Sequence, residues 1–426
     1  VTKEKIIVGI DVGSVKIATL IASFSKEGAL TVIGVSNVPS RGLRKGQVVD
    51  IDEAVKAIGE GVEAAERMAG VSISSAFVVV GGSHISSVNS RGVVAVAGGE
   101  NEIAEEDVRR VTEAARAISI PSSREIIHVV PRDFIVDSQE GIKDPIGMTG
   151  IRLEVETHII SGATTSMRNL AKCIQQVGID VEGLVFSGLA SAESTLTDTE
   201  KELGVALVDI GGGTTDVSLF VDGSIAHSVV IPIGGRNITN DLAIGLRSSL
   251  EDAEKIKLEL SLVNKKKEEA ESEEEHETRK KDVLETGHLS LGEDLGTLSK
   301  KTLIDGIIKP RLTEIFTLVG MEIKRSGYAG LLPSGLVVTG GAAETVGIAQ
   351  VGKEVLRMPV RIAYPSGVTG LIEEISSPAY ASLVGVILYG SKFSTVSSGV
   401  SLPLMSGGTI VDFGKKIVAW IRSFLP

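Results

Sequence analysis

The chain has 426 residues, 42% of them hydrophobic and 3% aromatic, with a formal net charge of −12. That length is too great for one ordinary core and predicts two lobes, while the acidic balance argues against a general nucleic-acid binder, which would show a basic face. Cys173 is the single cysteine, so no disulfide framework forms within the chain; with no secretory apolar run at the start and no stretch of bilayer-spanning length, a cytoplasmic α/β protein is expected.

Residues 5–37 alternate β-rich runs with turns and predict a three-strand meander. Its first two strands meet at Ile10-Asp11-Val12-Gly13-Ser14-Val15-Lys16, which reads as strand, tight turn, strand. Helical spacing of Ala54, Ile58, Val62, Ala65 and Met68 predicts a helix over 51–69, capped by Asp50 or Asp52 and stopped at Gly70. Phe77-Val78-Val79-Val80 reads as a buried strand, after which the texture changes. Strands near 85–96, 126–136 and 151–160 around a helix at 105–118 predict an inserted α+β subdomain over 84–160, before a helix at 164–177.

The pattern of the first hairpin returns about two hundred residues later, as Leu207-Val208-Asp209-Ile210-Gly211-Gly212-Gly213-Thr214-Thr215-Asp216. In both, glycines allow positive φ and bring bare backbone N–H groups close to an anion. The aspartate at each strand end, Asp11 and Asp209, can hold a divalent cation through water, because Mg²⁺ keeps most of its hydration shell. Two such hairpins face to face would grip a nucleotide triphosphate and its metal from both sides. Lys16 follows the first turn and is placed to reach a phosphate.

Beyond the second hairpin a helix opens at Gly234-Gly235-Arg236-Asn237, and another is predicted at 249–259. Residues 264–282 are almost wholly charged and read as a solvated run without chemistry. An amphipathic helix over 302–325 leads to a strand at Leu336-Val337-Val338-Thr339, which ends in Gly340-Gly341-Ala342. A serine- and glycine-rich linker is predicted over 391–409, then an amphipathic helix over 410–426. On its wheel Phe413, Ile417, Trp420, Ile421 and Phe424 share one face, with Lys415, Lys416 and Arg422 on the other. A tethered helix with an aromatic face and a cationic face suits an anionic membrane interface.

The paired hairpins, the strand ending at Gly340-Gly341, and the small-residue stretches Phe186-Ser187-Gly188-Leu189-Ala190-Ser191-Ala192 and Ser377-Pro378-Ala379-Tyr380-Ala381-Ser382 resemble, in order, the five motifs of the actin, sugar kinase and heat-shock chaperone ATPase superfamily. The resemblance implies a two-lobed, ribonuclease H-like ATPase fold with ATP and Mg²⁺ in the cleft. Its implied roles give Gly13, Ser14, Gly211, Gly212, Gly213, Thr214 and Thr215 as donors to the β- and γ-phosphates. Glu254 and Lys257 would hold the ribose, and Gly340, Gly341 and Ala342 would leave room for the adenine. By the same resemblance the first lobe comprises 1–83, 161–192 and 370–390, the second 193–233 and 311–369, with a further subdomain at 234–310.

Within the superfamily the insertion, the tail and Asn237-Ile238-Thr239-Asn240-Asp241-Leu242-Ala243 resemble the FtsA family of bacterial division proteins. That likeness implies a homopolymer that binds the C-terminal peptide of FtsZ and meets later division proteins at the septum. Lys300, Lys301 and Arg311 would meet the peptide's carboxylates, with Leu303 and Ile307 lining a groove. Arg236 stands where an uncharged or acidic residue is expected. The short Ser187, where hydrolysing relatives place a Gln or Glu, predicts slow ATP turnover. The alternatives are a pilus-assembly relative, of which the basic tail is not expected, and a sugar or acetate kinase, which needs a general-base aspartate not evident here.

Overall fold

A computed structural model describes residues 5–25, 28–97, 99–270, 282–292 and 295–396, with side chains except for those of 264–270 and 393–396. The tail over 410–426, most of the linker and residues 271–281 of the charged run lie outside the described residues.

Two sheets of one design make the two lobes. In the first, strands Lys5–Val12, Lys16–Phe24 and Leu30–Pro39 form an antiparallel meander, extended by Ser75–Val80 and Asp180–Phe186 running parallel to the first of them, with a two-residue edge strand Thr369–Gly370. In the second, Val205–Ile210, Thr215–Val221 and Ser224–Ile231 form the meander, extended in parallel by Leu336–Thr339 and Val360–Ile362. This actin-like arrangement puts each repeat of the Asp-x-Gly hairpin at the centre of its sheet. Strand alternation then aims the acids. Ala206, Val208 and Ile210 enter one hydrophobic cluster, whereas Val205 and Leu207 enter the other, on the side of the first lobe, and Asp209 shares their face.

Between the strands Ser75–Val80 and Asp180–Phe186 lies a separate four-stranded antiparallel sheet, in the order Ser86–Ala95, Arg152–Ala163, Arg124–Val136, Gln139–Ile142, covered by the helix Glu105–Arg116. It leans on the edge strand of the second lobe through side chains rather than a backbone ladder. Ser87 Oγ donates to the Ser228 carbonyl at 2.7 Å, and Asn89 Nδ2 to that of Ala226 at 3.1 Å.

The helix Ile51–Ala69 begins where Asp50 accepts the Glu53 N–H and stops at Gly70, which is left-handed at φ 67°. The helix Leu250–Ala270 runs well past its predicted end and into the charged run. Residues 300–326 form Lys300–Leu303, a π turn Ile304–Ile308 and Lys309–Ser326 in succession. The helix Ala381–Val396 continues into the stretch expected as linker, held there by Lys392, whose Nζ pairs with Glu193 at 2.8 Å.

Candidate functional site

The two hairpin turns close in the same way. Gly13 N–H donates to the Lys16 carbonyl at 3.0 Å, and Gly211 N–H to that of Thr214 at 2.9 Å. The turns come from opposite lobes and touch: a Cβ placed on Gly213 would lie 2.9 Å from Ser14 Oγ, and one on Gly212 2.2 Å from the Val15 side chain. Behind the second turn, the helix Gly235–Leu246 points its first N–H groups at the Gly211 and Gly212 carbonyls (2.9 and 2.8 Å), which fixes that loop from below.

Around this contact opens a cavity of ≈ 690 Å³, within the range of small-molecule and cofactor sites. Asp11, Gly13, Ser14, Lys16, Asp209, Gly211, Gly212, Gly213, Thr214, Glu254, Lys257, Gly340, Gly341 and Ala342 all line it, and so does Arg236. Gly340 sits at φ 92°, and a Cβ there would lie 2.2 Å from Asp209 Oδ1, so no side chain fits between strand end and acid. Lys257 Nζ reaches Glu254 at 2.7 Å and the Thr239 hydroxyl at 3.0 Å, an i,i+3 pair on one helical face. Lys16 Nζ lies 3.7 Å from the centre of the Tyr380 ring.

The electrostatics are dominated by acids largely withdrawn from bulk water. Burial raises Asp11, opposed by a Ser382 hydrogen bond and by Lys16. Burial likewise lifts Asp209 to about 6, against a Ser191 hydrogen bond and with the charge of Asp11 adding to it. Lys16 is pulled down to about 8 by burial, although Asp11 and Asp209 both favour its charge.

Sequence reasoning missed a third acid. Asp216 lies directly across the hairpin from Asp209, and burial with the charge of Asp209 drives it up to about 8. One of its oxygens accepts from the Ser187 hydroxyl; the other, Oδ1, is buried with no protein partner. The signal was in the spacing. A four-residue turn over 211–214 places 209 opposite 216. Also missed were Ser191 and Ser382, whose hydroxyls donate to Asp209 at 2.5 Å and Asp11 at 2.6 Å, and Leu250 and Leu258, which add apolar wall.

Other expectations are corrected. Thr215 does not face the cavity; it is fully buried and its hydroxyl donates to the Ile233 carbonyl at 2.8 Å. Leu303 lines no open groove, being 4% exposed in the core of the second lobe. Arg311 is not free to meet a peptide carboxylate, because Asp241 takes it in a fork at 2.6 and 2.8 Å and Glu314 takes its remaining nitrogen. Ile307 is half-buried against Gly245, Lys300 is half-buried and Lys301 exposed, so only part of the expected surface is open. Beside it stands Ile244, 77% exposed and not anticipated.

Comparison with known proteins adds a family. A sequence model described as "Cell division protein FtsA" matches residues 206–385, and one described as "SHS2 domain inserted in FTSA" matches residues 82–161. The chain is 40% identical over 427 residues to the cell division protein FtsA of Pseudomonas aeruginosa, covering 99% of each. Among solved structures, the PilM–PilN type IV pilus biogenesis complex shares 15% identity at a TM-score of 0.62, over 90% of this chain and 98% of that one. MreB 5 of Spiroplasma citri bound to AMPPNP shares 15% identity at a TM-score of 0.53, over 93% and 100%. At that identity these two structures share the fold alone.

Proposed function

The chain belongs to the FtsA family of cell division proteins, and from that premise we propose that it binds ATP with Mg²⁺, polymerises, and tethers FtsZ filaments to the cytoplasmic membrane at the division site. The observation that carries the nucleotide reading is the opposition of Asp11 and Asp209 across a cavity whose floor is two glycine turns of matching geometry. The residues fit the ligand. Three carboxylates with raised proton affinity, Asp216 buried and Asp11 and Asp209 half-buried, share the cavity with Lys16, and Asp216 has a buried oxygen without a protein partner. Such a site calls for a cation.

Asp11 and Asp209 would hold that cation through water. Among the described residues, no three His, Cys, Asp or Glu side chains stand close enough to ligate a metal directly. The bound ion would neutralise phosphate charge. Backbone N–H groups of the two turns, with the hydroxyls of Ser14 and Thr214, would take the phosphates, and Glu254 and Lys257 the ribose. Turnover would be slow, because Ser187 is short and its hydroxyl is committed to Asp216. A fluorescent ATP titration tests this reading: Asp209→Ala should abolish Mg²⁺-dependent binding, and undiminished affinity would refute it.

The FtsZ peptide would meet the surface that carries Ile244 and Lys301 exposed with Ile307 and Lys300 half-buried. Charge reversal at Lys300 and Lys301 should weaken FtsZ binding and flatten its dependence on salt, and unchanged affinity would move the site. Among the described residues no helix is long and apolar enough to cross a membrane. Attachment is assigned to the segment over 410–426 on the chemistry of its aromatic and cationic faces. Pelleting with anionic liposomes, with and without FtsZ and ATP, tests the tether as a whole.

A further inference from the structure

The two lobes are joined by two crossing helices, and each carries a serine to an acid of the cavity. The first, Ser187–Thr195, directs Ser191 Oγ to Asp209 Oδ2 at 2.5 Å; the second, Ala381–Val396, directs Ser382 Oγ to Asp11 Oδ2 at 2.6 Å. Both hydroxyls are sequestered, Ser191 fully buried and Ser382 7% exposed. The helices are in backbone contact. A Cβ on Gly385 would lie 1.7 Å from the Ala190 carbonyl oxygen, and Ser194 Oγ donates to the Ala381 carbonyl at 2.7 Å, beside Ser382. The arrangement repeats the duplication of the lobes: one hairpin, one acid, one helix, one serine on each side.

We propose that Ser191 and Ser382 are positioning residues that fix the two metal-facing carboxylates to the connecting helices, so that the packing of those helices sets how the acids face a bound Mg²⁺. The inference rests on reading the cavity as a nucleotide and Mg²⁺ site. A carboxylate with one oxygen held by a hydroxyl keeps the other turned to the cavity, whereas a freed carboxylate samples rotamers that miss the ion's water shell. Rotation of one lobe on the other must slide the helices at the Ala190–Gly385 contact, and it would carry Ser191 and Ser382 with them. Ser194 lies on the same helix and is equally buried, yet it bonds backbone rather than an acid. It separates a positioning role from mere helix packing.

The test titrates the full chain with a fluorescent ATP analogue at rising Mg²⁺, and again in EDTA. For Ser191→Ala and Ser382→Ala the Mg²⁺ needed for half-maximal tightening should rise about 10-fold, the lower range for loss of a partner that orients a metal-facing group. Affinity in EDTA should not change, Ser194→Ala should behave as wild type, and Ser382→Thr, which keeps a hydroxyl, should restore the wild-type Mg²⁺ response. If Ser191→Ala does not fold, judged by its ligand-free melting, Ser382→Ala decides by itself. Wild-type Mg²⁺ dependence in the alanine variants, or an equal shift in Ser194→Ala, overturns the inference while leaving nucleotide binding intact. Wild-type protein that binds no ATP with or without Mg²⁺ overturns the nucleotide reading and this inference with it.

Discussion

Asp209 and Asp216 stand as partners on adjacent antiparallel strands, Asp216 buried and Asp209 half-buried at the cavity. Like charges directly opposite are unfavourable, and burial together with the charge of Asp209 pushes Asp216 up to about 8, which favours a proton there. The sign of the stability effect follows. An aspartate near 4 when unfolded and near 8 when folded binds more protons in the folded state throughout that window, so its contribution falls as pH rises from about 4 to about 8 and levels beyond. Asp216→Asn removes the ionisation. Nucleotide-free Asp216→Asn should therefore gain about 1–3 kcal/mol over wild type at pH 8.5 and little at pH 4, as thermal melting at the two values will show; equal differences at both would refute the assignment. At this scale the sequence disclosed the acids and glycines that line the cavity, because the Asp-x-Gly pattern states its chemistry locally. It could not disclose Ser191 or Ser382, since which hydroxyls of a small-residue helix meet an acid depends on how two distant segments cross. That Thr215 turns away follows from the pleat, which sends it to the face opposite its neighbour Asp216.

Elements were legible where ends carry their own signals. The helix Ile51–Ala69 has a side-chain cap at one end and a left-handed glycine at the other, and both are written in the sequence. Asp50→Ala should cost about 1 kcal/mol of stability, measurable as a lower denaturant midpoint with an unchanged slope; no loss would mean the cap is solvent-compensated. The helix after 300 was not legible in the same way. An amphipathic period predicts one continuous helix, but Ile304–Ile308 takes a π turn, which shifts the face beyond it. That shift accompanies the burial of Leu303 and Ile308 together, and the engagement of Arg311 with Asp241. The contact between the inserted sheet and the second lobe was also silent in the sequence, resting as it does on Ser87 and Asn89 meeting a strand some 140 positions on, and on His158 meeting the same strand 70 positions on. Asn89→Ala should leave nucleotide affinity unchanged and increase hydrogen exchange along Ser224–Ile231, because it removes the bond to the Ala226 carbonyl.

At the scale of the whole molecule, the duplicated sheet was readable because its two hairpins repeat, and the insertion because its texture breaks the pattern of the first lobe. The proposed membrane tether rests on the chemistry of residues 410–426, which lie outside the described residues. Folding this segment onto an anionic surface would bury Phe413, Ile417, Trp420, Ile421 and Phe424 while Lys415, Lys416 and Arg422 meet headgroups. Burial of these side chains favours binding and the ordering of the segment opposes it, so a single tail would bind weakly and reversibly. A filament would present many tails, and after the first inserted the others would act at high effective concentration. Attachment should therefore follow assembly, and a nucleotide that promoted assembly would promote attachment. Trp420→Glu should release the protein from anionic liposomes while ATP affinity stays at the wild-type value. Wild-type protein should pellet with liposomes far more completely under conditions that assemble filaments than below the assembly threshold. If Trp420→Glu still co-sediments, or Trp420 fluorescence fails to shift to the blue when lipid is added to the wild type, the segment docks on protein instead and the tether must be sought elsewhere.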